Sequence, residues 1–173
     1  MLKRLLAATV LAAAFGIAAV AEDAKPSDPQ IAHIAYTAGS LDVEAAQQAL
    51  QKSKNPEVIE FAKTMERDHK AVNDQALALV KKLNVTPEDN PISQSLATNA
   101  AKERENLAAL DGEAFDKAYI ANEVAYHKAV NGALAATLIP SAQNAELKAL
   151  LETGLTLFQQ HQAHAEHLAT MVE

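Results

Sequence analysis

Cysteine and tryptophan are absent from this sequence, and glycine occurs only five times among its 173 residues. Without cysteine there are no disulfide cross-links, no thiolate metal ligands and no Cys-x-x-Cys redox chemistry, so the core alone must hold the fold together. A glycine-rich phosphate loop, the Gly-x-Ser-x-Gly motif of serine hydrolases and a Cys-x-x-Cys-His motif for covalent haem are missing as well. These absences exclude many of the common classes of enzyme.

Basic residues are in deficit, with 15 Lys and Arg against 22 Asp and Glu. An acidic chain that has no basic stripe is a poor candidate for binding nucleic acid or anionic lipid, because both repel it. Divalent cations are attracted instead. The charge balance therefore predicts no nucleic-acid partner and is compatible with a metal ion.

Residues 1–21 have the pattern of a secretory signal peptide. Two basic residues precede an apolar run over residues 5–20, and Ala19-Val20-Ala21 supplies the small residues for cleavage after Ala21. This run is shorter than the roughly 20 residues that a membrane-spanning helix requires. We therefore predict export, most simply to a bacterial periplasm, with no stable membrane span after cleavage. The mature chain would begin near Glu22 with a net charge of −9, because two basic residues and no acidic ones are removed.

Helix-start signals divide the sequence that follows a polar, flexible leader at residues 22–28. A capping residue precedes proline at Asp28-Pro29, Asn55-Pro56 and Asn90-Pro91, Asp111-Gly112 breaks the chain, and Pro140-Ser141 ends one helix and caps the next. The predicted helices cover residues 29–53, 56–83, 91–110, 113–138 and 141–171. Alanine and leucine dominate, and no stretch alternates with the period of a strand. We predict one all-α domain over residues 29–173, an antiparallel four-helix bundle with one additional shorter helix.

Three of these helices place a histidine where the apolar stripe should continue. His69, His127 and His161 each lie three or four residues from apolar residues of their own helix, so each points toward the core. A buried imidazole without a partner costs roughly 1–3 kcal/mol. One such histidine is more often a satisfied core residue than a ligand, but three converging histidines indicate a metal site.

Carboxylates at helical spacing extend the candidate site. Glu123 lies four residues before His127 on the same stripe, and Glu44 lies three turns from His33 on the first helix. Carboxylate–histidine pairs on facing helices are how helical bundles build sites for divalent metals.

Two further acidic residues lie beside His69. Glu66 lies three residues before it, but an ordinary surface pair with Lys70 explains Glu66 more simply. Asp68 points about 100° away from His69, which suits a residue that supports a ligand or lies on the surface.

The last helix carries a local cluster of histidines. His161 and His164 share a face, whereas His167 is rotated away and is expected to be solvated. The candidate metal ligands are thus His69, His127, His161, Glu123, Glu44, His164 and His33. Imidazole and carboxylate accept zinc, copper and iron, and also nickel or manganese, so the identity of the divalent transition metal stays open.

Several motifs, taken together, resemble the bacterial DUF4142 family. They are Pro29-Gln30-Ile31-Ala32-His33-Ile34, Lys54-Asn55-Pro56-Glu57-Val58 with Phe61-Ala62, Met65-Glu66-Arg67-Asp68-His69, Phe115-Asp116-Lys117-Ala118-Tyr119, Glu123-Val124-Ala125-Tyr126-His127 and His161-x-x-His164. The resemblance implies a ferritin-like four-helix core and export from a Gram-negative bacterium.

The resemblance also bears on the site. It places Glu44, His69, Glu123, His127 and His161 at polar motif positions of the family, with His33 and His164 as further candidates. The chain departs from the ferritin di-iron pattern, because two paired Glu-x-x-His helices with two lone glutamates are not present. This departure favours a histidine-rich mononuclear site, or an incomplete one. The family is named for having no established function, so the resemblance bears on fold and location more than on activity.

Three functional hypotheses follow. The first is a periplasmic protein that binds a transition metal for sequestration or stress protection, without turnover. The second is an iron- or copper-dependent oxidoreductase acting on oxygen or peroxide, with Tyr119 and Tyr126 nearby. The third is a non-catalytic envelope interaction protein whose buried histidines are structural. A homo-oligomer is left open, because Ala45, Ala46 and Ala49 could pack on another subunit or within the bundle.

Overall fold

The computed structural model describes residues 25–172, and the predicted signal peptide lies outside these residues. The five main helices are α1 (Asp28–Lys52), α2 (Pro56–Lys82), α3 (Pro91–Ala108), α4 (Gly112–Ala133) and α5 (Ala145–Ala169). No strand occurs in the described part of the chain. The predicted all-α bundle of four long helices with one shorter helix is confirmed. None of the described helices combines the length and hydropathy that a membrane span requires.

Proline and a capping side chain begin the helices largely as predicted. The Asn55 side chain accepts a hydrogen bond from the backbone of Glu57 at the start of α2, and Asn90 accepts from Ile92 and Ser93 at the start of α3. Each cap satisfies backbone N–H groups that have no partner within the helix.

Two predicted caps are wrong. Ser27, not Asp28, caps α1, and it forms a reciprocal capping box with Gln30. Asn144, not Pro140-Ser141, caps α5. Asp28 instead accepts hydrogen bonds of 2.8 Å from the backbone N–H groups of Gln143 and Asn144, which ties the start of α1 to the start of α5.

The predicted fourth helix also differs in its last turns. Regular α-helix ends at Ala133 and continues as a π-helix over Leu134–Leu138 and a short turn over Ile139–Ser141. Pro140 has no N–H to donate to the carbonyl four residues earlier, so regular α-helical hydrogen bonding cannot continue through this region.

The four long helices form two hairpins, α1 with α2 and α4 with α5, and α3 packs mainly against α1. Ala45, Ala46 and Ala49 are buried in the core of this one chain, so they pack within the bundle. Each long helix contributes apolar residues to two separate core clusters, one toward each end of the bundle.

Between the two core clusters lies a layer of polar residues. On α2, Met65 belongs to one cluster and Val72 packs on the other, with His69 between them. The same succession occurs on α5, where His161 lies between Phe158 and Ala165. A polar group in this position is sealed from solvent on both sides, so its partners must come from within the bundle.

Candidate metal centre

The polar layer contains one or two ionisable side chains from each of the four long helices. They are Asp42 of α1, His69 of α2, Glu123 and His127 of α4, and His161 of α5. None of these residues is more than 4% exposed. Buried charged groups of this number are rare unless they pair with one another or with a metal.

Three ligand-type atoms form a nearly equilateral triangle at the centre of this layer. Nε2 of His69 lies 3.4 Å from Nε2 of His127, and Oδ2 of Asp42 lies 3.5 and 3.6 Å from these two nitrogens. A ring nitrogen of His161 lies within 4.8 Å of a ring nitrogen of each of the other two histidines. A carboxylate oxygen of Glu123 likewise lies within 4.8 Å of an oxygen of Asp42 and a ring nitrogen of His127. These groups could hold a metal ion.

Hydrogen bonds outside the triangle orient two of the imidazoles. Nδ1 of His127 lies 3.0 Å from the backbone carbonyl of Glu123, which can only accept, so Nδ1 carries the proton and Nε2 presents its lone pair. Nε2 of His161 donates to Oδ2 of Asp68 at 3.0 Å, so Nδ1 of His161 is the nitrogen with a lone pair. Asp68 is itself held by Arg67 at 2.7 Å. Ligand histidines in metalloproteins are oriented in this way.

Several buried atoms of the layer have no hydrogen-bond partner among the described residues. They are both carboxylate oxygens of Asp42, both carboxylate oxygens of Glu123, Nδ1 of His69 and Nδ1 of His161. Each unsatisfied buried polar atom costs about 1–3 kcal/mol. Native interiors leave few such atoms, and a bound cation or additional protons could satisfy those that are concentrated in this layer.

The electrostatics of the metal-free layer favour neutral side chains. Burial raises the pKa of Asp42 to about 8. Burial and the neighbouring Asp42 raise the pKa of Glu123 well above its usual value. Burial and His161 lower the pKa of His127 to about 4, although its hydrogen bond to Glu123 acts in the opposite direction. Burial and the other two histidines likewise lower the pKa of His69.

Three aromatic residues border the layer. The ring of Phe158 stacks on that of His69 with centroids 4.5 Å apart, which restricts the tilt of this imidazole. The Tyr126 hydroxyl donates to the carbonyl of Ala38 at 2.8 Å. The Tyr119 hydroxyl is buried without a hydrogen-bond partner among the described residues, while its ring stacks on Phe115.

The structure brings four of the seven candidate ligands together and places three elsewhere. Glu44 is exposed and pairs with Arg104 at 2.5 Å. His33 is partly buried, 3.9 Å from Asp89. His164 is exposed, with its ring 5.1 Å from that of Phe61.

Two interpretations of surface residues are confirmed. Glu66 pairs with Lys70 at 2.6 Å, and His167 is exposed. Asp68, adjacent to His69 in the sequence, supports a different histidine, His161, across the bundle.

Sequence reasoning missed Asp42, although a signal was present. Asp42 lies four residues after Ala38 and four before Ala46, so it interrupts the apolar stripe of α1 as the histidines interrupt theirs. Glu44 lies two residues further on, about 200° around the helix, and faces solvent.

Comparison with known proteins gives one match. The family model described as "Domain of unknown function (DUF4142)" matches residues 15–168, a span that contains every residue of the polar layer. Neither the curated proteins nor the solved structures contain a match. Because the matched span covers most of the sequence, the chain belongs to the DUF4142 family.

Proposed function

We propose that this protein is an exported helical bundle that binds one divalent transition-metal ion in its polar layer and sequesters it. The proposed ligand atoms are Nε2 of His69, Nε2 of His127, Nδ1 of His161 and a carboxylate oxygen of Asp42. Glu123 supports His127 through its backbone carbonyl and places a second buried carboxylate beside Asp42.

The triangle of ligand-type atoms is the observation that carries this proposal. Its sides are 3.4, 3.5 and 3.6 Å, and the mean side divided by √3 gives a centre about 2.0 Å from each atom. Bonds from zinc to histidine nitrogen are about 2.0–2.1 Å long, and those to carboxylate oxygen about 2.0–2.2 Å. The three atoms are therefore spaced as ligands of one ion.

The number of ligands and their burial favour sequestration over catalysis. Three imidazoles and one carboxylate complete a four-coordinate site, whereas catalytic zinc sites keep a position open for water or substrate. The four residues are almost fully buried, which leaves little access for a substrate. Zinc fits this ligand set, and copper and iron remain the alternatives that a redox function would require.

Export follows from the N-terminal sequence pattern. We place cleavage after Ala21 and the mature chain in a periplasm, where a disulfide-free bundle would meet metal ions from outside the cell. N-terminal sequencing of the protein recovered from the periplasm tests this point, and recovery of an uncleaved chain in the cytoplasm would contradict it.

Elemental analysis of the exported protein, purified without an affinity tag or chelator, tests the metal site. We expect about one metal ion per chain, lost in the triple variant His69→Ala, His127→Ala, His161→Ala, since all three imidazoles are proposed ligands. The matched control His33→Ala, His164→Ala, His167→Ala removes three histidines outside the layer and should keep the metal.

The other outcomes separate the alternatives. Bound iron or copper together with turnover of oxygen or peroxide would replace sequestration by the oxidoreductase hypothesis. A wild-type protein that is metal-free and takes up no added zinc, copper or iron tightly would show that the buried histidines are structural.

Asp68→Asn tests the support of His161. We expect affinity for the metal to fall by about 10- to 100-fold with unchanged stoichiometry, because an amide holds the His161 ring less firmly than a carboxylate does. Competition with a chromophoric chelator measures the change. Asp74→Asn, at an exposed position on the same helix, is the control. Equal affinities for the wild type and Asp68→Asn would show that Asp68 does not orient a ligand.

A further inference from the structure

An apolar cavity of about 440 Å³ lies on the side of Phe158 away from the polar layer. All five helices and the π-helix contribute to its walls. Small residues create much of the space, among them Ala35, Ala76 and Ala133 on three different helices. Leu134 and Leu138 of the π-helix complete one wall, so the departure from regular helix in this segment shapes the cavity.

The chemistry of the lining is uniform. No residue that lines the cavity carries a charge. Two of its polar groups are already engaged within the bundle, since Tyr126 donates to Ala38 and the amide of Asn73 donates to Ser40. The interior therefore offers hydrocarbon contact and little else.

Three of the polar lining residues are not fully buried. Among the lining residues, Ser95 of α3 and Thr137 of the π-helix are exposed, and Asn99 of α3 is partly buried. The cavity thus has an apolar interior, and the polar residues that solvent can reach are uncharged. An amphiphile with a single hydrocarbon chain and a neutral head group matches both parts.

We propose that this cavity binds one uncharged single-chain lipid, with the hydrocarbon chain inside and the head group at Ser95, Asn99 and Thr137. Its volume lies within the range of about 300–1,000 Å³ that is usual for small-molecule sites. An empty cavity lined by apolar side chains destabilises a protein in proportion to its volume, and an apolar occupant removes that cost. An anionic lipid fits less well, because the mature chain is acidic and the cavity supplies no cation. The proposal does not depend on the metal site.

The lipid-binding proposal is tested by titrating the exported protein, purified without detergent, with the uncharged fluorescent probe N-phenyl-1-naphthylamine. We expect one saturable site per chain and displacement by 1-monodecanoylglycerol. Ala76→Phe should weaken probe binding at least about tenfold, because the new ring fills the cavity. Its melting temperature should stay constant or rise, because the void is smaller. Ala78→Phe, at an exposed position on the same helix outside the cavity, is the matched control.

A second variant and a test of oligomeric state complete the experiment. Ala133→Phe fills the cavity from the opposite wall and keeps the test valid if Ala76→Phe fails to fold.

The absence of saturable binding, or undiminished binding by a folded cavity-filling variant, would overturn the proposal. So would displacement by decanoate at lower concentrations than the monoglyceride. Dissociation of a dimer on probe binding would identify a second copy of the chain as the occupant. Loss of binding only in a chain that retains residues 1–24 would identify that segment instead.

Discussion

Replacing Asp42 with asparagine is expected to abolish tight metal binding while leaving the metal-free protein at least as stable as the wild type at pH 8. The change removes the one carboxylate oxygen that lies 3.5–3.6 Å from both His69 and His127. A neutral amide is a poor ligand for a divalent transition metal, so we expect affinity to fall at least about 100-fold. In the metal-free protein the same carboxylate lowers the free energy of unfolding, because it is buried and both of its oxygens lack hydrogen-bond partners among the described residues.

The two effects have opposite signs, which separates this prediction from ordinary damage to the core. An amide of nearly the same shape costs no charge burial, and it can donate to the Nε2 lone pair of His127. Isothermal titration with zinc measures the first effect, and urea unfolding in the presence of a chelator measures the second. Glu44→Gln, an exposed change on the same helix, should alter neither quantity. If Asp42→Asn keeps the affinity of the wild type, Asp42 is not a ligand.

The fold was largely predictable because its signals are local. Asn55 and Asn90 each precede proline and an apolar repeat of helical period, and both cap the helices that follow them. The wrong cap of α1 occurs where the residue that the local pattern favours as a cap makes a tertiary contact instead. Asp28 leaves the capping role to Ser27 because its carboxylate binds the backbone at the start of α5, more than 100 residues later.

The histidines of the site were predictable for a similar reason, and its carboxylates only in part. His69, His127 and His161 each break the apolar stripe of a helix, and Glu123 shares the stripe of α4. On α1 the relation to His33 favoured Glu44, which is exposed in the structure. Asp42 was missed, although it interrupts the apolar stripe of α1 and could have been found in the same way as the histidines.

The sequence predicted that Asp68 supports a ligand or lies on the surface, but not which histidine it supports. Asp68 lies next to His69 but binds His161, which is 93 residues away along the chain. Which histidine a carboxylate supports depends on how two helices face each other, and this information is absent from the period of either helix.

The free energy of unfolding of the metal-free protein is expected to fall as pH rises from about 7 to 8. The pKa of Asp42 is raised from 3.8 to about 8 in the folded state, so its stabilising contribution is complete below pH 3.8 and is lost as pH rises through 8. Between pH 7 and 8 the unfolded chain has lost most of the protons of its histidines and all those of its carboxylates, whereas the folded chain retains a proton on Asp42 until pH reaches the pKa of this residue. The expected slope is about 1.4 kcal/mol per pH unit for each proton retained.

Below about pH 7 the histidines have the opposite effect on the free energy of unfolding. The pKa of His127 falls from 6.5 to about 4 on folding, and those of His69 and His161 are also lowered, so the unfolded chain takes up protons that the folded chain does not. This proton uptake lowers the free energy of unfolding as pH falls, and it offsets the stability that the buried carboxylates contribute when they are protonated. Metal-free stability should therefore be greatest on the acidic side of neutrality.

Urea unfolding at intervals from pH 5 to 8, in the presence of a chelator, measures this profile. Asp42→Asn should remove much of the decline above pH 7, and a wild-type profile that is flat or rising between pH 7 and 8 would show that Asp42 does not retain its proton. A bound metal must displace the same proton, so its affinity should increase with pH over the interval in which the metal-free fold weakens. Metal affinity would then rise with pH, and the stability of the metal-free fold would fall with pH, for one structural reason. In both cases the cause is the buried carboxylate of Asp42, which has no cation beside it among the described residues.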